Sequence, residues 1–166
     1  MTSNTPLSQE LDRQTFLTCP LADYCIAVPL TSILRVLRHK LEDSDDSLHR
    51  MGLLRIGSHV IRAINLHQWL TPSPTPSPPP FLIIVQSSQR EAFGIWTDGL
   101  PNLVELSPDL LRSLPPSASA ASKLLELMSY MAVIPGEKSK TIFLLNISCV
   151  LNVPAPEVAS LPSQAQ

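Results

Sequence analysis

The chain has 166 residues, of which 44% are apolar and only 16% charged, against about 25% charged in an average soluble domain. That length favours one domain with a sizeable core, and a net charge of −2 speaks against phosphate-rich nucleic acid as the main ligand. No run reaches the roughly 18 apolar residues a bilayer-crossing helix needs, and the polar start with Glu10 and Asp12 is neither a signal nor a transit peptide, so the expectation is a soluble cytoplasmic protein.

Residues 1–12 are rich in Ser, Thr, Asn and Gln and read as a disordered tail. Gln14 to Cys19 reads as a strand, Asp23 as a turn, and Tyr24 to Val28 as a second strand with Tyr24, Ile26 and Val28 on one face. The two form a hairpin. Leu30, Ile33, Leu34, Leu37 and Leu41 keep helical spacing, with Thr31 or Ser32 as cap, so periodicity predicts a helix there. Ile33 to Leu37 can also be a strand after a single turn. Arg38 to Arg50 holds Glu42, Asp43, Asp45 and Asp46, but lacks the glycine and closing glutamate of a calcium loop and reads as solvated loop.

Met51 to Ile56 and His59 to Ile64 flank Gly57 and Ser58, a hairpin whose glycine supplies the positive φ of a tight turn. Asn65 then caps a helical turn, Leu66 to Leu70. Thr71 to Pro80 holds six prolines in ten residues; it cannot enter a sheet ladder and reads as an extended spacer, with docking to an SH3- or WW-type partner as the alternative. Phe81 to Gln86 and Ala92 to Thr97 are predicted strands, with Leu103 to Leu106 as a third. Ser107-Pro108-Asp109 starts a helix. Ala118 to Met131 can be helical, or Met128 to Ile134 a strand entering the Pro135–Gly136 turn. Thr141 to Leu145 is a strand, Asn146 caps another turn, and residues 154–166 read as a disordered tail.

One pattern occurs twice. Ile64-Asn65-Leu66-His67-Gln68-Trp69-Leu70 matches Leu145-Asn146-Ile147-Ser148-Cys149-Val150-Leu151, each after a β-like run. A strand closed by an Asn-capped turn is a structural unit, and its recurrence predicts two related subdomains.

Catalytic and metal-binding chemistry finds little support. Cys19, Cys25 and Cys149 lack metal-ligand or redox spacing and read as small buried hydrophobes. His39, His49, His59 and His67 come without HExxH or a carboxylate triad, so they read as single exposed or half-buried histidines. Gly57-Ser58-His59 lacks the second glycine of a GxSxG nucleophile turn, and the five glycines form no phosphate loop. Asp98 reads as a turn residue, and Trp69 and Trp96 as core. No cofactor or metal is expected.

The order of elements resembles the CheW-type adaptor domain, over roughly Arg13 to Val153. Four pieces carry the resemblance: the hairpin Phe16-Leu17-Thr18 with Tyr24-Cys25-Ile26-Ala27-Val28-Pro29; Gly52-Leu53-Leu54-Arg55-Ile56-Gly57-Ser58 followed by Val60-Ile61-Arg62-Ala63-Ile64-Asn65-Leu66; Gly94-Ile95-Trp96-Thr97-Asp98-Gly99-Leu100; and Leu144-Leu145-Asn146-Ile147. Several positions depart from the family pattern. Its signature arginine falls on Gly57, the following glycine on Ser58 and its proline on Arg62. Two capping aspartates fall on Asn65 and Asn146, which preserve the cap, and a glutamate falls on Arg35, a charge reversal.

The resemblance implies an all-β fold of two interlocked five-stranded SH3/OB-like barrels with exchanged strands and short helical turns, as a single domain over 13–153. It also implies a turn at Leu30 to Ser32 and a strand at Ile33 to Leu37, against the periodicity. The implied function is a non-catalytic adaptor between the tip of a methyl-accepting chemoreceptor-type receptor and the regulatory domain of a CheA-type histidine kinase, in a divergent phototaxis or pilus-linked array. No nucleic acid, cofactor, metal or direct membrane insertion is implied. Partner contacts are expected at Ile33, Arg35, Gly52, Leu54, Arg55, Gly57, Ser58 and His59. Two other classes compete: an OB-like nucleic-acid binder, which needs a basic groove with exposed aromatics in a chain only 5% aromatic, and a small hydrolase around Ser58 and His59.

Overall fold

The computed structural model describes residues 13–38, 52–69, 80–115, 117, 123–136 and 138–152. The acidic stretch, most of the proline-rich segment and both tails lie outside the described residues. The strands are β1 (Gln14–Leu21), β2 (Tyr24–Pro29), β3 (Ile33–Arg38), β4 (Leu53–Ile56), β5 (His59–Ile64), β6 (Phe81–Gln86), β7 (Ala92–Thr97), β8 (Asn102–Leu106), β9 (Leu111–Ser113), β10 (Met128–Ile134) and β11 (Lys140–Leu145). A short helix, α1 (Ile147–Leu151), follows β11, and single 3-10 turns occupy Leu30–Ser32, Leu66–Trp69, Pro108–Leu110 and Leu124–Leu127.

Two sheets form, sheet A in the order β8-β1-β2-β11-β10-β9 and sheet B in the order β3-β6-β7-β5-β4. Both follow one plan. An antiparallel hairpin (β1–β2 or β6–β7) receives a parallel strand on its second member (β11 or β5), which pairs in turn with the strand before it (β10 or β4). Each hairpin's first strand then takes an outer partner that follows the other hairpin in sequence: β8 joins β1 and β3 joins β6. The halves therefore exchange strands. Even the register agrees. Ala63 pairs with Gly94 and Leu144 with Ala27, and the capping asparagine comes two residues after Ala63 in one half and after Leu144 in the other. Sheet A adds the short β9, a sixth strand beyond the five expected; the Ser107-Pro108-Asp109 start yields only one 3-10 turn, Pro108–Leu110, before it.

Three apolar cores account for the stability. Phe16, Ala27, Leu106, Ala132, Ile142 and Leu144 fill sheet A's interior. Leu54, Ala63, Leu82, Ile84 and Trp96 fill that of sheet B. The largest core lies between the sheets, where Leu17, Cys19, Leu21, Ile26 and Val28 meet Ile64, Ile83, Val85, Phe93 and Ile95, with Leu66, Leu124 and Val150 from the turns. Each fully buried aliphatic or aromatic side chain contributes roughly 1.5–3 kcal/mol of transfer free energy. With sixteen buried members against six and five in the interior cores, the seam outweighs either interior. Neither half would keep its apolar faces dry alone.

The helix expected from Leu30 onward does not form over the described residues. Leu30–Ser32 is a single 3-10 turn and Ile33–Arg38 is a strand. A register shift between Ile33 and Arg35 in the pairing with β6 explains the misleading spacing. The bulge breaks the period of two, so Ile33 packs on the seam core while Leu37 packs on sheet B's interior, and the apolar residues fall at helix-like intervals. Of the two readings for 118–131, Met128–Ile134 is the strand, after a 3-10 turn at Leu124–Leu127.

Candidate partner-binding surface

The residues expected to meet partners fall on the edge strand β3 and on the β4–β5 hairpin at the opposite edge of sheet B, β3 and β4 having three strands between them. On β3, Arg35 is exposed, flanked by Leu34 at 50% and Val36 at 41% exposure, while Ile33 is half-buried against the seam. An apolar edge strand with free backbone groups is a template for pairing, and charges along it blunt indiscriminate pairing. Arg35 and Arg38 supply such charges here.

At the other edge, Gly52 has φ 72° and its carbonyl accepts the Ala63 N–H at 2.8 Å, starting the β4–β5 hairpin. Arg55 is exposed opposite Val60, which is also exposed. Ser58 and His59 are exposed at the turn, as is Gly57, which has the left-handed φ of +60° expected from the sequence and open space where a Cβ would stand. Leu54 differs from the rest. It is 7% exposed and belongs to sheet B's interior, so it supports this edge from within and offers no surface.

Charge divides the two sheets. The strands of sheet B carry Arg35, Arg38, Arg55 and Arg62 and no carboxylate, whereas those of sheet A carry Glu105, Arg112 and Lys140. Within a chain of net charge −2, the strands of sheet B thus carry arginine as their only charged residue type.

Three polar residues do more than the sequence suggested. Asp98, read as a turn residue, accepts the Ala22 N–H on Oδ2 at 2.6 Å and meets His67 Nε2 with Oδ1 at 2.5 Å. His67, read as a single histidine, is therefore paired. Arg62 Nη1 donates to the Leu151 carbonyl at 2.8 Å. These contacts span 31 to 89 positions of sequence, and no local motif announces them. The caps were legible: Asn65 Oδ1 accepts the His67 N–H at 3.0 Å and Asn146 Oδ1 the Cys149 N–H at 3.3 Å.

Cys19 is fully buried and its thiol is pushed up to about 12, first by desolvation and then by the nearby Cys25. Cys25 and Cys149 are half-buried, and all three are free thiols. Trp96 lies in sheet B's interior as expected. Among the described residues no group of three or more His, Cys, Asp or Glu could hold a metal ion, and no helix is long and apolar enough to cross a membrane.

No curated protein matches the sequence significantly. Among solved structures, the scaffolding protein TtCheW from Thermoanaerobacter tengcongensis shares the fold of two SH3-like barrels, with a TM-score of 0.63 at 14% identity over 87% of this chain and 97% of that one. The family model described as CheW-like domain matches residues 15–155. By that match, which takes in both sheets and the strand exchange between them, the chain belongs to the CheW-like domain family.

Proposed function

We propose that this chain is a non-catalytic adaptor coupling a chemoreceptor-type receptor to a CheA-type histidine kinase. The observation that carries the reading is the family match over nearly all of the described fold. The exposed edges of sheet B support it physically. Leu34 and Val36 offer apolar area beside Arg35, and the β4–β5 hairpin offers the exposed side chains of Arg55, Ser58 and His59. Such surfaces position partners and make or break no bond. In this reading residues 13–153 act as one unit in the cytoplasm, recruited to membrane-associated receptor arrays.

Partner choice would rest on the departures. Arg35 reverses the charge that the family glutamate carries there, and Gly57 removes the arginine side chain from the hairpin tip. Charge reversal at an interface rejects the old partner as effectively as it selects a new one. The array would accordingly be a specialised one, serving phototaxis or pilus motility. The test is co-purification with the regulatory domain of a CheA-type kinase encoded nearby. Micromolar binding that weakens in Arg35→Glu is expected. A folded protein that fails to bind any such kinase at micromolar concentration would sink the proposal.

A further inference from the structure

The segments that close the two parallel strands are each tied across the seam, the one after β11 directly and the one after β5 through Asp98 at the end of β7. After β11, α1 extends sheet A's half, yet its last carbonyl, Leu151 O, is held at 2.8 Å by Arg62 of β5 in sheet B. After β5, the turn Leu66–Trp69 extends sheet B's half, yet His67 meets Asp98 at 2.5 Å, and Asp98 is fastened to the β1–β2 turn of sheet A. That fastening is double: Oδ2 accepts the N–H of Ala22 in the turn at 2.6 Å, and the Asp98 N–H donates to Pro20 O at the end of β1 at 3.1 Å. Ala22 has a φ of 53°, which presents its N–H to the carboxylate in a backbone conformation an L-residue rarely adopts. At Gly99, a Cβ would stand 2.6 Å from Pro20 Cγ, so glycine is what lets the β7–β8 crossing lie this close to the hairpin.

We propose that these are two latches, one at each closing turn, that fasten each half onto the other independently of the seam core: Arg62 to the end of α1, and His67 through Asp98 to the β1–β2 turn. The physical need is clear. Apolar burial between the sheets resists separation but is non-directional. Hydrogen bonds to charged groups are directional, and shorter and stronger than neutral ones. Val150 and Leu66, one from each closing turn, are fully buried in the seam, so each turn enters the core and is then pinned by a polar contact beside it. The proposal does not depend on the adaptor reading.

Cys149 lies on α1 and is half-buried, whereas Cys19 is fully buried in the seam, so the chain carries its own probes. In Arg62→Met, the expected result is Cys149 labelling by a thiol reagent, and amide exchange over 147–151, about ten- to hundredfold faster than in the unaltered protein. Cys19 labelling and exchange in β6 and β7 should stay unchanged. Asp98→Asn should raise exchange over 20–24 and 66–68 and leave α1 as it was. Arg62→Lys keeps a cation without the fork and should fall between; it carries the same reading if Arg62→Met does not fold. Equal Cys149 labelling in the folded Arg62 variant, or Cys19 and Cys149 accelerating together as in whole-domain opening, would overturn the proposal.

Discussion

Gly94 lies where sheet B's packing leaves no room for a Cβ. It sits in the middle of β7, paired with Ala63 on one side and Ile84 on the other. A Cβ built there would stand 2.8 Å from Leu82 Cδ1, 3.2 Å from its Cγ and 3.3 Å from its Cδ2. Leu82 is 1% exposed and packed with Leu54, Ile84 and Trp96, so its side chain has nowhere to go without displacing them. Overpacking of this kind costs about 1–3 kcal/mol, set against a gain of under about 1 kcal/mol from removing a glycine from a strand interior. Gly94→Ala should therefore destabilise by about 1–2 kcal/mol net, or roughly 2–8 °C in Tm for a chain this long. Urea denaturation with an unchanged m-value measures it. Leu82→Ala alone leaves a cavity and should cost about 2–5 kcal/mol. The double variant should cost less than the sum by at least about 0.5 kcal/mol, because the added methyl enters the vacated space. A neutral Gly94→Ala, or strict additivity with Leu82→Ala, would refute the close-approach argument.

Other expectations are simpler to check. Asn146→Ala and Asn65→Ala each remove a side-chain acceptor from a turn and should each cost about 1 kcal/mol in denaturation, with Asp restoring most of it. Cys19, unlike Cys25 and Cys149, should stay unlabelled by a thiol reagent at pH 8 until the protein is denatured, since its thiol is pushed up to about 12. The same shift has a linkage consequence. Between the ordinary value of 9.0 and about 12 the unfolded chain loses a proton that the folded chain keeps. Stability should thus be unaffected below pH 9 and fall as pH rises through that window, and Cys19→Ala should flatten the slope. For the proposed adaptor, Arg35→Glu should lower kinase or receptor affinity about tenfold at low salt, with the difference shrinking as ionic strength rises; an unchanged affinity would remove Arg35 from the contact surface.

What could be read beforehand was mostly local. Gly57 between two apolar runs specifies a hairpin with a left-handed residue, and Asn before an apolar turn specifies a cap; both are set by residues within a few positions of each other. The repeated strand-and-cap unit was readable for the same reason, and it marks the equivalent ends of β5 and β11. The β3 segment misled because a bulge moved its apolar residues onto two faces, an effect that depends on the partner strand β6 and not on Ile33 to Leu37 themselves. The polar ties of Arg62, His67 and Asp98 were invisible because each joins positions far apart in sequence. Leu54, expected at a partner contact, lies in sheet B's interior, because a signature motif names positions without saying which side of the strand each faces.

The equivalence of the halves narrows where specificity can reside. Sheets A and B share a ladder plan and a register at the parallel pair, but their edges differ: β9 covers β10 in sheet A where β4 stands open in sheet B, and β3 is bulged where β8 is not. The side chains add a second distinction, and on sheet B the charged ones are all arginines: Arg35 and Arg38 on one edge, Arg55 on the other, and Arg62 between. Arg62 is already engaged with Leu151 O, which leaves the edge arginines as the exposed charges of that sheet. The two edges are separated by three strands but share an interior core to which Leu37 of β3 and Leu54 of β4 both contribute. In the proposed adaptor, a partner seated on either edge therefore rests on the same packed interior, and the choice between an acidic and a basic partner is made by arginines at its rim.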